Sequence, residues 1–389
     1  MATKERSRIV RTIISKARSV SEGVQKNLDT ILFRCRTLYN AALEERRSSY
    51  KKLGKSPTYF DQCKELTEIR GQDPDYRSLD AVMVRVTALQ RLDRAFKSFF
   101  RRCKDRKPGD KVGYPRFKSR DRFNTICFGT TGWKLTGNKL WIKGVGQIRL
   151  TSVPEIQGEI KGIQLIKKSR GWFVHFVTDL GEAPVPVNVQ EPVGIDVGLK
   201  TFATLSDGSE IENPRFVRDS LEKLASLNQD LARKKLGSNR RKRAKLQLSR
   251  FHEKIANRRK NFLHQETKKL VTAYDGFAVE NLDIQEMTDS DREIQGMTEK
   301  GERGLRRGIM DAAWGTFFSF LAYKAEEAGK LVKKVLAKGT SQNCSSCGSL
   351  VRKTMRDRTH ICPCCGLEID RDLNAAINIF NLGWRLTAC

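Results

Sequence analysis

Apolar residues in VQKNLDTILFRCRTLYNAALEERRSSYKK recur at helical spacing, with Leu28, Ile31, Leu32, Cys35, Leu38 and Ala42 on one stripe. That pattern predicts an amphipathic helix. A second stripe runs through AVMVRVTALQRLDRAFKSFFRRCK, carried by Val82, Val86, Leu89, Leu92, Phe96 and Phe99. Ahead of both, SRIVRTIIS at residues 7–15 is rich in β-branched side chains and predicts a strand. KPGDKVGYP ends the helical zone, because proline and glycine break the pattern. From about residue 112 to 190 the runs are short and divided by glycines. TGNKLWI and SRGWFVHFV carry hairpin signals there, which predicts a small antiparallel barrel or sandwich. The strand at 7–15 could complete that sheet, making the helices of residues 16–108 an insertion.

GEAPVPVNVQEP reads as a proline-rich linker. Beyond it, VGIDVGLKTFATLSDGSEIEN predicts two strands joined by a tight turn, followed by basic helices over 215–272. A short apolar strand, GFAVENL at 276–282, precedes a polar segment at 283–303, another helix and a strand KLVKKVLAKG at 330–339. Strands followed by helices that alternate with strands argue for an α/β unit. Trp314, Phe317, Phe318 and Leu321 share helical spacing and read as core, as do Phe96, Phe99 and Phe100. No internal repeat is evident.

A chain of 389 residues exceeds the size at which one core stops growing, about 250–300 residues, so two or three domains are expected. Its 74 Lys and Arg against 45 Asp and Glu leave a net charge of +29. Such an excess calls for a polyanionic partner, and nucleic acid is the leading reading. An anionic membrane is the competitor, but no stretch approaches the roughly 18–20 apolar residues of a spanning helix. The first residues contain no apolar run of the secretory kind. A cytoplasmic protein acting at the nucleoid of a prokaryote is the expectation.

Asp196 lies inside the apolar run VGIDVGLK, and Glu280 sits toward the end of GFAVENL, after its apolar run. An ionised carboxylate in such a strand is costly unless it is paired or bound to metal. Each could be a strand-end acid reaching solvent. Both, however, occupy equivalent places in one α/β unit, and a further acid pair, Asp370 and Asp372, opens the last helical pattern. Carboxylates converging from two strands and a helix would hold two magnesium ions, which prefer hard oxygen ligands. Ions about 3.5–4 Å apart would activate water and stabilise the leaving oxygen in phosphodiester cleavage. The four histidines show no paired catalytic spacing, and there is no P-loop.

Five of the ten cysteines fall between Cys344 and Cys365. Cys344 and Cys347 form one C-x2-C pair and Cys362 and Cys365 another, fourteen residues apart. Two such knuckles present four thiolates tetrahedrally, as in a zinc ribbon. Cys364 could form only a one-residue knuckle with Cys362 and is assigned as a non-ligand. Cys35, Cys63, Cys103, Cys127 and Cys389 read as buried small hydrophobes or surface thiols.

Residues 233–260 hold thirteen Lys and Arg against one acid, with Leu248, Phe251 and Ile255 as a narrow apolar stripe. One face can pack while the rest, including Arg240, Arg241, Arg243, Arg258 and Arg259, tracks phosphates. Residues 94–122 interleave twelve Lys and Arg with aromatic rings, and Lys97, Arg101, Arg116 and Lys118 are the candidates there for phosphate contact.

In their order along the chain, GIDVGLKTFATLSDG, NRRKRAKLQLSRFHEKIANRRKNFLHQETKKLV, FAVENLDI, IMDAAWGTFFSFLAYKAEEAG, TSQNCSSCG and CPCCGLEIDRDLNAAINI resemble the TnpB proteins of bacterial transposons, relatives of the type V CRISPR effector nucleases. LDRAFKSFF and GYPRFKSRDR extend the resemblance upstream, so that it covers the chain from about residue 80. It implies a multidomain α+β and α/β protein. A RuvC-like nuclease domain of the RNase H fold would span 189–340 and finish in the helix of 370–389. A zinc ribbon at 341–369 would interrupt it, a wedge β-barrel would combine 1–15 with 109–188, and a helical recognition domain would fill 16–108. The catalytic, magnesium-binding triad implied is Asp196, Glu280 and Asp372, with Asp370 a neighbour or helix cap. The implied activity is magnesium-dependent cleavage of double-stranded DNA beside a short adjacent motif, directed by a bound guide RNA, the protein being a monomer with its RNA. A guided DNA-binding regulator without cleavage, and a guide-independent resolvase or transposase, are the alternatives. Segment 283–303 could be a lid over the site or a passive loop.

Overall fold

The computed structural model describes residues 7–106, 112–186, 188–290, 297–336, 339–354 and 357–384. The chain forms two compact units, Met1–Glu182 and Ala183–Cys389.

The first unit begins with β1 (Arg8–Ser19) and four helical segments, α1 (Glu22–Leu53), α2 (Tyr59–Gln72), α3 (Pro74–Arg77) and α4 (Ala81–Val84). A π-helical turn over Arg85–Gln90 leads into α5 (Arg91–Lys104). Six strands follow: β2 (Thr125–Phe128), β3 (Trp133–Thr136), β4 (Lys139–Ile142), β5 (Gly146–Leu150), β6 (Glu159–Lys168) and β7 (Gly171–Glu182). Their order is β2-β6-β7-β1-β5-β4-β3, with antiparallel pairing throughout. The N-terminal strand is therefore central. It pairs with β7 up to Lys16 and with β5 at Ala17 and Ser19, joining two three-stranded halves. That second pairing carries β1 past residue 15, until the Ser21 side chain caps α1 by accepting from the Val24 amide.

All six residues of the first apolar stripe are buried. The second stripe departs from the expected phase: Val82 is exposed, whereas Met83, Val84, Thr87 and Ala88 are buried together with Leu89, Leu92 and Phe96. A π turn adds a residue to the helical repeat, so periodicity counted at 3.6 slips across it. Phe96 is core and Phe99 packs against it, but Phe100 is 61% exposed, at the rim of a ring cluster with Tyr114. Helix and strand residues, among them Leu28, Phe96, Ile126, Leu165 and Phe176, share one core.

The second unit is built on five strands, β8 (Pro192–Val197), β9 (Thr201–Leu205), β10 (Glu210–Glu212), β11 (Gly276–Glu280) and β12 (Leu331–Val335). Three strands, not two, come before the first helix. α6 (Leu221–Ala232) and α7 (Asn239–Ala273) precede β11, and α8 (Ile284–Thr288), α9 (Glu299–Ala312) and α10 (Trp314–Glu327) follow it. The expected single helix around 309–325 is two, divided at Ala313, which has a left-handed backbone (φ 55°). The sheet order is β10-β9-β8-β11-β12, with β8, β11 and β12 parallel and the other pairs antiparallel. A hairpin of β13 (Thr359–Ile361) and β14 (Glu368–Asp370) leads to the last helix, α11 (Arg371–Trp384). Among the described residues no helix is long and apolar enough to cross a membrane.

Side chains alternate across a strand. Val193, Ile195, Phe277 and Val279 face a core with Leu263 and Leu270 of α7 and Phe317 and Leu321 of α10. The alternate positions Gly194, Gly276 and Ala278 face α11. A Cβ on Gly194 would lie 2.3 Å from the Ala376 carbonyl oxygen and 2.6 Å from the Phe380 nitrogen. Only glycine permits that approach. It draws α11 against the sheet with Ala375, Ala376 and Ile379 buried. Gly194 meets Ala376 while Gly276, at the start of β11, meets Trp384. The helix thus runs against the strand direction, and its first turn lies at the carboxyl ends of β8 and β11.

Candidate active site and metal cage

The alternation that turns Gly194 and Ala278 toward α11 turns Asp196 and Glu280 the same way. Val279 pairs with Ile195 in parallel register, so Glu280 and Asp196 are the next neighbours on that face, where strands lie about 4.8 Å apart. Carboxyl ends of parallel strands are the usual place for a site in an open α/β sheet. Asp372, in the first turn of α11, completes the group. Burial, and then the charges of Glu280 and Asp372, push the Asp196 carboxyl well above the usual carboxylate range, while Arg371 and the Val197 amide pull the other way. Burial also raises Glu280, offset by the Thr340 hydroxyl, which donates to Oε1 at 2.5 Å. Acids held together against their own repulsion are suited to binding cations.

Asp372 accepts from Arg371 at 3.1 Å and lies 3.7 Å from an Arg358 nitrogen. Asp370 does something different. Its Oδ1 accepts from the backbone amides of Asp372 (2.7 Å) and Leu373 (3.2 Å), so it caps α11. Asp370→Ala is therefore expected to lower stability by about 0.5–2 kcal/mol, which thermal unfolding of the variant checks.

Cys344, Cys347, Cys362 and Cys365 place their sulfur atoms within 4.8 Å of one another. The Cys344–Cys365 and Cys347–Cys362 separations are 3.6 and 3.5 Å. A tetrahedral zinc with bonds of about 2.3 Å sets its sulfurs about 3.8 Å apart, so the four thiols fit that ion. Each knuckle turns the same way: the amides of Gly348 and Gly366 donate to the carbonyls of Cys344 and Cys362, and both glycines have left-handed φ (76° and 73°). Cys364 is exposed and outside the cluster.

Of the basic residues singled out by the sequence, Arg240, Arg243 and Arg258 are exposed on α7, as are Lys97, Arg101 and Arg116 in the first unit. Lys97 pairs with Asp93 (2.9 Å), Arg258 lies over the Phe216 ring (5.3 Å), and Lys118 is half-buried. Arg241 and Arg259 are engaged in holding the protein itself. Arg241 donates to the carbonyls of Leu231 and Lys234, closing the end of α6, and Arg259 pairs with Asp311 at 2.8 Å. The expected stripe on α7 extends further, through Ala244, Ile255, Leu263, Thr267 and Leu270. Segment 283–303 contains α8 and the start of α9, with 291–296 outside the described residues.

Sequence reasoning missed Thr340, Asn374 and Asn378. Asn374 is fully buried; its amide donates to the Asn343 carbonyl and its oxygen accepts from the Ser345 amide. Asn378 donates to the carbonyls of Thr340 and Asn343. The available signal was two asparagines at i and i+4 on a helix otherwise rich in alanine and isoleucine.

Residues 175–291 match the family model described as "Probable transposase", and residues 314–379 match the "Cas12f1-like, TNB domain". A Streptomyces pristinaespiralis protein named as an RNA-guided DNA endonuclease is 30% identical over 363 residues, covering 91% of this chain and 85% of that one. The Escherichia coli (strain K12) protein so named, InsQ, is 28% identical over 369 residues, covering 91% and 88%. The solved structure of the mini-RNA-guided endonuclease CRISPR-Cas phi3 aligns over 98% of this chain and 93% of that one, with a TM-score of 0.51 and 10% identity. The fold is thus a multidomain α+β arrangement similar to that effector's. On the Streptomyces match in particular, which runs nearly end to end, the chain belongs to the TnpB family of RNA-guided DNA endonucleases.

Proposed function

We propose that this chain is itself an RNA-guided DNA endonuclease that cuts with Asp196, Glu280 and Asp372. The observation that carries the reading is the convergence of the three carboxylates where β8, β11 and the first turn of α11 meet. Three antiparallel strands continued by two parallel ones, with α11 on one face, support a RuvC-like domain of the RNase H kind. The four-cysteine cage supports a zinc ribbon within it, and the seven-stranded sheet and helices of the first unit support wedge and recognition roles. The names borne by the relatives support guide RNA and target DNA as partners.

Each acid comes from a separate element. Asp196 offers an oxygen from the end of β8, Glu280 from the end of β11, and Asp372 from the capped turn of α11, so three rigid elements fix the donors. Bound there, magnesium would polarise the scissile phosphate and lower the pKa of the attacking water. Arg371 and Arg358 place positive charge beside Asp372, where a phosphate backbone can be drawn in. Arg240, Arg243 and Arg258 on α7, with Lys97, Arg101, Arg116 and Lys118 in the first unit, supply phosphate contacts that position without reading sequence.

Sequencing the nucleic acid that copurifies with the protein tests the guided reading. One defined RNA species is expected. Recovery of only random cellular RNA, together with cutting of DNA that matches none of it, would favour a guide-independent nuclease instead.

A further inference from the structure

A buried hydroxyl lies against Glu280. Thr340 is 4% exposed, and its hydroxyl donates to Glu280 Oε1 at 2.5 Å. We infer that Thr340 is a positioning residue for Glu280, and that α11 and the first cysteine knuckle hold it in place. This inference rests on the assignment of Glu280 as a metal-binding acid.

A glutamate has three side-chain torsions, and a carboxylate at a strand end can rotate among several orientations. Donation from Thr340 commits one oxygen and fixes that rotation, leaving the other oxygen for a cation. Partners of this kind, which orient a ligand without touching the metal, commonly set metal affinity. The donor must itself be fixed, and here it is. The Thr340 carbonyl accepts from the Asn378 side chain at 2.8 Å. Three residues on, the Asn343 carbonyl accepts from Asn378 and Asn374, both at 2.8 Å, and the Ser345 amide donates to Asn374 Oδ1 at 2.9 Å. Segment 340–345, which contains Cys344, is thereby tied along α11, the helix that carries Asp372. One short strap connects a cage cysteine, the helix bearing Asp372 and the hydroxyl that orients Glu280.

The purely structural alternative is that Thr340 fills space beside β11. Valine keeps the shape and loses the donor; serine keeps the donor and loses the methyl group. Thr340→Val and Thr340→Ser in the full chain with its RNA are measured by the magnesium concentration giving half-maximal cleavage and, independently of cleavage, by the magnesium-induced rise in Tm. Valine is expected to raise the half-maximal concentration about tenfold or more and to weaken the Tm response in parallel, with serine close to wild type. If the valine protein does not fold, Asn378→Ala, which releases the Thr340 carbonyl, is expected to shift both readouts in the same direction. Wild-type magnesium dependence in the valine variant, or equal impairment by valine and serine, overturns the inference while the nuclease reading stands. An Asp196→Ala protein that keeps the full magnesium-induced Tm rise overturns both.

Discussion

Serine in place of Cys362 will remove bound zinc and loosen the second unit. Cys362 is buried, its sulfur lies 3.5 Å from that of Cys347, and its backbone forms the second knuckle through Leu367 and Gly366. Structural zinc contributes about 10–16 kcal/mol of apparent binding free energy in small zinc modules, which have little core of their own. Around this cage the described regular structure is the short β13–β14 hairpin and the Asn343–Leu350 bridge, so little else would hold it. The damage will spread, because Asn374 and Asn378 tie the segment around Cys344 to α11. Metal analysis is expected to give about one zinc per wild-type chain and close to none for Cys362→Ser, with a lower Tm. Cys364→Ser will keep its zinc. Loss of zinc from the Cys364 variant with retention in the Cys362 variant would reverse the assignment.

Asparagine at position 196 will abolish cleavage and stabilise the magnesium-free protein. A lost metal-binding carboxylate removes several kcal/mol of transition-state stabilisation, so cleavage is expected to fall by about a thousandfold or more. The stability effect has the opposite sign for a physical reason. Burial, with Glu280 and Asp372 nearby, raises the Asp196 carboxyl in the folded state. Between the ordinary carboxylate value and that raised value the folded chain holds a proton that the unfolded chain has released. Stability therefore declines as pH rises through this window, and the penalty persists above it. The asparagine side chain carries no charge and escapes the penalty, so the Tm of the Asp196→Asn variant at neutral pH is expected to exceed that of wild type. Each kcal/mol relieved corresponds to about 2–4 °C in a unit of this size. Magnesium will narrow or invert the gap, since it stabilises only the protein that retains the acid. A variant less stable than wild type without magnesium would show that Asp196 serves the fold rather than the site.

The features that could be read from the sequence are those in which spacing is itself the physical constraint. Two C-x2-C pairs can close one tetrahedral cage, and the four thiols do approach one another while Cys364 stays out. Asp196 and Glu280 were conspicuous because a charge in an apolar strand demands compensation. The stripe of α1 was legible for the same reason that it is buried. Other features depend on contacts that have no local signature. Periodicity cannot announce a π turn, so the spacing predicts for Val82 a face it does not occupy. Charge density indicates a polyanion but does not show that Arg241 closes α6 or that Arg259 is paired with Asp311. Gly194 looks like any strand glycine until α11 lies 2.3 Å from where its Cβ would be. Asp370 and Asp372 are indistinguishable by composition, and that Asp370 is the cap shows only in which of the two meets the amides of the first helical turn.

The most direct measurement is cleavage of linear double-stranded DNA in magnesium by the purified protein with its RNA, once the guide segment of that RNA has been replaced by a chosen sequence. Wild-type protein is expected to cut DNA matching the new guide and to leave DNA matching the old one intact, while the Asp196→Asn protein binds the same DNA without cutting it. Cutting that ignores the guide, or that survives in the Asp196 variant, would contradict the account.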